Sequence, residues 1–224
     1  MELNTVIFDM DGLLIDSEPY WQEAGTETLD DFAIVLNQDQ YHETTGLRTK
    51  EWIDYWFSHF GIDKEHAPAA EEAIHRKAIE KIHVHGLGMP GVESILSFFK
   101  NRKFRIGLAT SSPLELVEVV AGKLGIGHYF QAIASASELP HGKPHPQVYL
   151  NCAEMLGASP LECICFEDSF NGLIAAKAAR MTCVVVPAAD QYDLLKWGAA
   201  DLKLHSLEEF PDSGMLTTIK KAPR

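Results

Sequence analysis

The 224-residue sequence has few basic residues and no long apolar run. Its 19 Lys and Arg stand against 32 Asp and Glu, which gives a formal net charge of -13. That balance argues against non-specific binding to nucleic acid, whose phosphates attract basic surfaces. It leaves room for an anionic substrate only if a local cation counters the negative field. No apolar run approaches the ~18 residues needed to span a bilayer, so we expect no membrane partner.

Cysteine is scarce as well, and no two cysteines have the CxxC spacing of a metal or redox motif. Cys163 and Cys165 alternate within an apolar run, so they should share one face of a strand. The beginning, "MELNTVIF", has neither the basic segment nor the long apolar segment of a secretory leader. We therefore expect reduced, buried thiols in a cytoplasmic protein.

Short apolar runs alternate with helical patterns along most of the chain. The segment "SSPLELVEVVAGKLG" is typical: a helix opened by Ser112 and Pro113 and stopped near Gly125. Such alternation predicts an α/β fold, a Rossmann-like parallel sheet with helices on both faces. The strands are predicted at Thr5–Phe8, Arg105–Ala109, Ala132–Ser135, Cys163–Phe166 and Cys183–Val186.

One region interrupts this alternation. Between Ser17 and about Leu87 the apolar residues recur at helical spacing, and no convincing strand is present. We therefore predict a discontinuous core, residues 1–16 and 88–224, and an inserted all-helical unit, residues 17–87. The two linkers between them contain the glycines and proline expected of a hinge. The end of the chain after Phe210 is predicted to be loose.

The segment "VIFDMDG" places Asp9 and Asp11 directly after an apolar strand. An EF-hand loop starting at Asp9 is excluded, because the positions that need an acid or amide, a glycine and a glutamate hold Leu13, Leu14 and Tyr20. A helix cap cannot explain two acids flanking one residue at a strand end. Ligand sites of open parallel sheets lie at that edge. The two carboxylates therefore point to a hard cation or to acid–base work.

Polar residues also follow the later strands. Thr110 and Ser111 end one strand, Lys143 lies in the proline-rich turn "HGKPHP", and another strand ends in Glu167 and Asp168. Each feature alone has an ordinary explanation, such as a helix cap or a surface lysine. Because the carboxyl ends of parallel strands meet at one edge, together they predict a site for a metal and a phosphoryl group.

In the order and spacing of these four motifs, the sequence resembles the haloacid-dehalogenase-like phosphohydrolase superfamily. The resemblance covers essentially the whole chain. The insert is similar to the small helical caps of the branch that contains β-phosphoglucomutases and sugar-phosphate phosphatases, and we call residues 17–87 the cap. Stretches such as "DSEPYW", "TTGLR" and "EDSFNG" look most like those of bacterial hexitol-phosphate or 2-deoxyglucose-6-phosphate phosphatases.

The resemblance implies a catalytic role for each acid of the motifs. Asp9 would be the nucleophile that forms an aspartyl-phosphate. Asp11 would protonate the leaving alkoxide and then deprotonate the attacking water. Mg²⁺ would be held by the side chains of Asp9 and Asp168 and by the backbone carbonyl of Asp11. Glu167 would orient ligands or waters around the metal.

The resemblance also implies how the substrate, a small phosphomonoester, is bound. Lys143 and the Thr110 hydroxyl would hold phosphate oxygens, helped by the backbone N–H of Ser111. In the cap, a turn at Gly46 could place Arg48 over the pocket, against the hydroxyls or the phosphate of the substrate. A solvated surface position for this arginine is the alternative. We expect a monomer.

Four other functions fit the sequence less well. A β-phosphoglucomutase-type mutase usually carries a histidine where this sequence has Trp21 and an arginine where it has Thr49, and both departures favour a hydrolase. A dehalogenase normally lacks acids equivalent to Asp11 and Asp168. A phospho-accepting receiver domain is shorter and has no helical insert, and the intact motif set argues against a binding protein without catalysis.

Overall fold

The structure, a computed structural model, describes residues 2–216 and confirms the predicted α/β class. Six of its strands form one parallel sheet, and two short strands form a separate antiparallel pair. The strands are Thr5–Phe8 (β1), Ile15–Asp16 (β2), Leu87–Gly88 (β3), Arg105–Thr110 (β4), Ala132–Ser135 (β5), Cys163–Glu167 (β6), Thr182–Val185 (β7) and Leu202–Lys203 (β8).

The large sheet has the strand order β5-β4-β1-β6-β7-β8. Strand β1 lies in the middle, where Phe8 pairs in register with Leu108 of β4 and Phe166 of β6. The order of the strands along the chain reverses direction on either side of β1. Ligand sites of open α/β sheets form at such a reversal, outside the carboxyl ends of the strands.

Helices lie on both faces of this sheet or form the cap. Glycine or proline marks several of their boundaries, as at Gly125, whose φ of +68° suits the left-handed end of a helix. The helices are Glu18–Leu29 (α1), Gln38–Thr44 (α2), Thr49–Phe60 (α3), Ala67–His85 (α4), Val92–Asn101 (α5), Leu114–Leu124 (α6), Gln147–Met155 (α7) and Phe170–Ala178 (α8).

Two apolar cores cover the two faces of the sheet. Successive strand residues point to opposite faces, so Phe8 belongs to one core while Ile7 belongs to the other. Cys163 and Cys165 share the second face, as predicted, and the structure places all four cysteines as free, buried thiols. The first core continues into the cap through residues such as Phe57 of α3.

The helices α1 to α4 lie between the short strands β2 and β3. These strands pair Ile15 with Gly88 and Asp16 with Leu87, so both predicted linkers cross at one place between sheet and helices. The domain boundaries drawn from the sequence stay a prediction, as does hinge motion at this crossing. Of the predicted loose end, residues 217–224 lie outside the described part of the chain. None of the described helices is long and apolar enough to cross a bilayer.

An aromatic cluster on one face of the sheet yields a test of the core. Phe99 is fully buried, and its ring centroid lies 6.0 Å from that of Phe8 and 5.4 Å from that of Phe210. Phe99→Ala is expected to lower the free energy of unfolding by about 3–5 kcal/mol, because it leaves a cavity in a packed interior. Chemical denaturation followed by far-UV circular dichroism measures this loss.

The matched control is Phe60→Ala, at a cap position where 40% of the side chain is exposed. Its expected loss is under about 1 kcal/mol. Similar losses in the two variants would contradict the assignment of Phe99 to a rigid core.

Candidate active site

The carboxyl ends of β1, β4 and β6 bring the predicted polar residues together. Asp9 directly follows β1, and its backbone N–H donates to the carbonyl of Phe166 at 3.0 Å, which extends the pairing with β6 by one step. Thr110 is the last residue of β4, and Glu167 is the last residue of β6. Neighbouring parallel strands that end together thus place these side chains on one edge of the sheet.

Lys143 is the buried cation of this edge, with 1% of its surface exposed. Its Nζ lies 2.6 Å from Oδ1 of Asp9 and 2.6 Å from Oε1 of Glu167. Two of the three ammonium protons are therefore used by these carboxylates, and the third is free for another acceptor such as a phosphate oxygen. Oδ2 of Asp9 accepts no hydrogen bond from the described residues.

Burial and charge act in opposite directions at this ion pair. Burial, with repulsion from Glu167 and Asp11, holds the pKa of Asp9 well above its ordinary value, although Lys143 opposes the rise. Burial alone would lower the pKa of Lys143, but the charges of Asp9 and Glu167 outweigh it and the pKa is raised. The ion pair thus favours the charged form of Lys143, while burial opposes the charge on Asp9.

Glu167 is completely buried and is held by donors at both oxygens. Lys143 and the Tyr149 hydroxyl donate to Oε1, and the hydroxyl of Ser169 donates to Oε2 at 3.2 Å. Gly172 leaves room for the carboxylate, since a Cβ there would lie 1.9 Å from it. With both oxygens in use, Glu167 is better suited to orient its neighbours than to bind a cation directly.

Asp168 differs from Glu167 in that its carboxylate accepts no hydrogen bond from residues 2–216. Burial, and then repulsion from Asp9, Glu18 and Glu167, raises its pKa well above the ordinary value. Carboxylate oxygens of Asp9, Glu167 and Asp168 lie within 4.8 Å of one another. An acid without a donor beside other acids matches the oxygen-rich sites that hard divalent cations prefer.

Gly12 lies very close to the carboxylate of Asp168. Its φ is +69°, and a Cβ there would lie 2.2 Å from Oδ2 of Asp168. A larger residue at position 12 would therefore push the Asp168 carboxylate out of the acidic cluster. The glycine of the "DMDG" motif thus allows the Asp168 carboxylate to stay in the acidic cluster.

Asp11 is held from two directions. Oδ1 accepts hydrogen bonds from the Ser17 hydroxyl at 2.7 Å and from the Trp21 indole N–H at 2.8 Å. Oδ2 accepts from the Ser112 hydroxyl at 2.7 Å and, at 3.4 Å, from the Thr110 hydroxyl. The first pair comes from the start of the cap and the second from the end of β4, so this side chain joins the two parts of the fold.

Glu18 faces the same cavity from the first turn of α1. Burial, with repulsion from Asp11 and Asp16, raises the pKa of Glu18 to about 7. Its charge in turn raises the pKa of Asp168. The acidic field thus extends from the sheet edge to the cap.

Arg48 occupies a different place from the one expected. Its guanidinium is buried and donates to the carbonyl of Ala136 at 3.0 Å and to Oε1 of Glu51 at 2.6 Å. Glu51 also accepts from the backbone N–H of Gly142 at 3.0 Å. Arg48 therefore neither lines the cavity nor lies free in solvent, because its Nη1 donates to carbonyls of the loop before Lys143 and its Nη2 to Glu51.

A cavity of about 360 Å³ lies between the sheet edge and the cap. At its base are the predicted residues Asp9, Asp11, Thr110, Ser111, Lys143 and Asp168. Cap side chains and a loop after β7 form the remaining walls, among them Gln22, Gln38, His42, Gln191 and Lys196. The volume suits a ligand of the size of a sugar phosphate.

Three contacts at this site did not emerge from the sequence. Tyr149 belongs to the apolar face of α7, so its hydroxyl bond to Glu167 is hidden within an ordinary helical pattern. In the sequence, Ser112 indicates the start of a helix, and Trp21 is notable only because it replaces the histidine of the mutases. No local pattern reveals these contacts, since each joins residues from separate elements.

The geometry defines a class of protein: an α/β enzyme whose sheet edge presents acids and a lysine to a cavity bordered by a helical cap. The model of the haloacid dehalogenase-like hydrolases matches residues 3–180. The chain belongs to this family, as the four motifs indicated, and it is accordingly a hydrolase.

Individual relatives agree with this assignment. The chain is 38% identical over 219 residues to hexitol phosphatase B of Escherichia coli (strain K12), covering 96% of this chain and 97% of the relative. It is 30% identical to β-phosphoglucomutase of Bacillus subtilis (strain 168), covering 92% and 95%. The crystal structure of β-phosphoglucomutase from Clostridium difficile has the same fold, with a TM-score of 0.84, 24% identity and coverage of 98% of this chain and 100% of that one.

The raised pKa of Glu18 predicts how stability depends on pH. In the folded chain Glu18 binds its proton more tightly than in the unfolded chain, so its contribution to stability falls as the pH rises from 4.5 to about 7. In metal-free buffer at pH 8, the free energy of unfolding of Glu18→Gln is expected to exceed that of the wild type by about 1–2 kcal/mol, because partial exposure to solvent reduces the full effect of the pKa shift. Denaturant titrations measure this difference. At pH 4.5 the two proteins should have the same free energy of unfolding.

Glu72→Gln, at an exposed position of α4, is the control and should follow the wild-type pH profile. If Glu18→Gln also follows it between pH 4.5 and 8, Glu18 is not held in the acidic field described above.

Proposed function

We propose that the protein is a Mg²⁺-dependent phosphatase that hydrolyses small phosphorylated sugars or sugar alcohols through an aspartyl-phosphate intermediate. One observation carries the proposal most: Asp9, paired with Lys143 at 2.6 Å, lies beside the four-donor site of Asp11 at the base of the cavity between sheet and cap. A nucleophile, a fixed cation and an acid–base group are what phosphoryl transfer by a carboxylate requires.

In the first step Oδ2 of Asp9 attacks phosphorus. The bond between phosphorus and the sugar oxygen breaks, and that oxygen keeps the electron pair and takes a proton from Asp11. In the second step Asp11 takes a proton from water. The water oxygen attacks phosphorus, the bond to Asp9 breaks, and inorganic phosphate leaves. Lys143 and Thr110 hold phosphate oxygens throughout, with the backbone N–H of Ser111.

Asp9, Asp168 and the backbone carbonyl of Asp11 are the groups that would hold Mg²⁺, with Glu167 orienting its neighbours. The carboxylate of Asp168, which accepts no hydrogen bond from residues 2–216, and its place in the acidic cluster support this assignment. When bound, the ion supplies the positive charge that reduces repulsion between the carboxylates and a phosphate dianion.

The walls of the cavity support a substrate rich in hydroxyl groups. The side-chain amides of Gln22, Gln38 and Gln191 line the cavity and can both donate to and accept from hydroxyls. Gln191 is also within hydrogen-bond distance of His42 at 2.6 Å, so the cap and the loop after β7 form one polar wall. The similarity to hexitol phosphatase B points to the same chemistry.

A phosphosugar mutase is the second candidate, because a β-phosphoglucomutase is among the relatives. A mutase must retain a bisphosphate between its two half-reactions, and it needs cations at both ends of the cavity. Trp21, in place of a histidine, is bound to Asp11, and Arg48 is engaged by the loop after β5. Both observations favour hydrolysis. We also propose that the protein acts as a cytoplasmic monomer.

The proposed activity is tested by the release of phosphate from p-nitrophenyl phosphate. Wild-type protein is expected to turn it over with Mg²⁺ and to stop in excess EDTA. Asp9→Asn should reduce the rate by at least about 1,000-fold, because the amide cannot form the covalent intermediate. Asp31→Asn, at an exposed position of the cap, is the matched control and should retain wild-type activity. Activity equal to that of the wild type with Mg²⁺, either in excess EDTA or in Asp9→Asn, would contradict the proposal.

The substrate class is tested with a panel of hexose and hexitol phosphates, followed by phosphorus NMR. Hydrolysis is expected to give inorganic phosphate as the only phosphorus product, with the highest kcat/KM on a hexose or hexitol monophosphate. The same spectra report on the mutase alternative. Conversion of glucose 1-phosphate to glucose 6-phosphate without release of phosphate would contradict the hydrolase proposal and support the mutase alternative.

A further inference from the structure

Trp21 lies in an unusual place for an aromatic residue that lines a ligand cavity. Its indole N–H donates to Oδ1 of Asp11 at 2.8 Å, and the Ser17 hydroxyl donates to the same oxygen at 2.7 Å. Both donors come from the junction of β2 and α1. The two together occupy the oxygen of Asp11 that faces the cap.

The other oxygen is held from the core. Ser112 and Thr110 donate to Oδ2 of Asp11 from the residues that end and follow β4. A carboxylate bound through each oxygen by a different element cannot rotate without breaking contacts on both sides. The orientation of Asp11 therefore depends on the cap and the core being in place together.

Among these four donors, the indole N–H is the one that cannot redirect. Serine and threonine hydroxyls rotate and can accept as well as donate, whereas an indole N–H only donates, in the plane of its ring. The ring of Trp21 is itself supported by His75 of α4, whose ring lies edge-on with centroids 6.0 Å apart. A fixed ring with a donor of fixed direction sets the position of Oδ1.

We propose that Trp21 is a positioning residue. By donating to Oδ1 of Asp11 it leaves Oδ2, whose hydroxyl partners can also accept, to carry the proton that the protonated carboxyl group transfers to the leaving oxygen of a sugar or sugar-alcohol phosphate. The inference rests on the proposed function, in which Asp11 is the acid. The competing interpretation is that Trp21 serves as a surface on which the substrate stacks, as aromatic residues in sugar pockets often do. The two interpretations differ in what they predict for leaving groups and for binding.

The leaving group distinguishes them because only some leaving groups need a proton. An alkoxide of a sugar alcohol is a strong base and leaves as the alcohol, whereas p-nitrophenolate is stable without a proton. The ratio kcat/KM reports the steps up to departure of the leaving group and excludes the later hydrolysis of the aspartyl-phosphate. Loss of Asp11 orientation should therefore lower kcat/KM for the first substrate far more than for the second.

The experiment compares wild type and Trp21→Phe on a hexitol 6-phosphate and on p-nitrophenyl phosphate, both with Mg²⁺. Phenylalanine keeps an aromatic ring and removes the N–H. The expected loss in kcat/KM is on the order of 10- to 100-fold for the hexitol phosphate and under about 3-fold for p-nitrophenyl phosphate. The Kd of the hexitol phosphate, measured by calorimetry in Asp9→Asn and in Asp9→Asn/Trp21→Phe, is expected to differ by less than about 3-fold.

Trp52→Phe is the matched control, since Trp52 lines the same cavity and its indole N–H donates to no acceptor among the described residues. Any change it causes should be equal for the two substrates. If thermal unfolding shows that Trp21→Phe does not fold, Ser17→Ala removes the other donor to Oδ1 and is expected to shift the substrate ratio in the same direction.

Two outcomes would overturn the inference: equal losses on both substrates in Trp21→Phe, or weakened binding that accounts for the whole loss on the hexitol phosphate. Inactivity of the wild type on both substrates is a different result. It would contradict the proposed function and therefore also this inference.

Discussion

The organisation of the site depends on the burial of several carboxylates around one ammonium group. Asp9 and Glu167 come from neighbouring strands and would repel each other at this depth without Lys143, which lies 2.6 Å from both. One cation does not neutralise the cluster, because Asp168 and Glu18 add further negative charge. Removing one partner of such a buried pair typically costs about 3–5 kcal/mol, so the arrangement of these carboxylates depends on Lys143. Mutually repelling carboxylates are thus concentrated at the edge of the sheet where the proposed phosphoryl transfer takes place.

Lys143 in turn depends on its loop. The residues between β5 and α7 are not regular structure, so their position must come from contacts with other elements. The Arg48 guanidinium of the cap donates to carbonyls in this loop, and Glu51 accepts from the N–H of Gly142, the residue before the lysine. The placement of the ammonium is thus connected to the docking of α3. Arg48, for which the sequence allowed either a substrate contact or a solvated position, donates to the carbonyls of this loop in the structure.

The fold and most of the sheet edge could be predicted because their signals are local. Each strand is a short apolar run, and the polar residues that follow it reach the same edge wherever the strands are parallel. The residues gathered there include Asp9, Thr110 and Glu167. The positions of Trp21, Tyr149 and Arg48 could not be predicted, since each depends on how a helix packs against a distant element. An indole, a phenol and a guanidinium have ordinary surface or core roles in most helices, and only the packed structure selects another one.

In the proposed mechanism, the position of Asp11 connects the cap to the chemistry as well as to substrate selection. Asp9 depends on the cap less directly, through Lys143, whose loop is held by Arg48 and Glu51. Asp11 has one oxygen held by the core and the other by Ser17 and Trp21 of the cap. In the proposed mechanism, opening at a hinge formed by β2 and β3 would leave the acid incompletely oriented and would also release the contacts that hold the loop of Lys143. Phosphoryl transfer to a leaving group that needs a proton would then be slow until the cavity closes, which separates entry of the substrate from its cleavage by a physical rather than a chemical step.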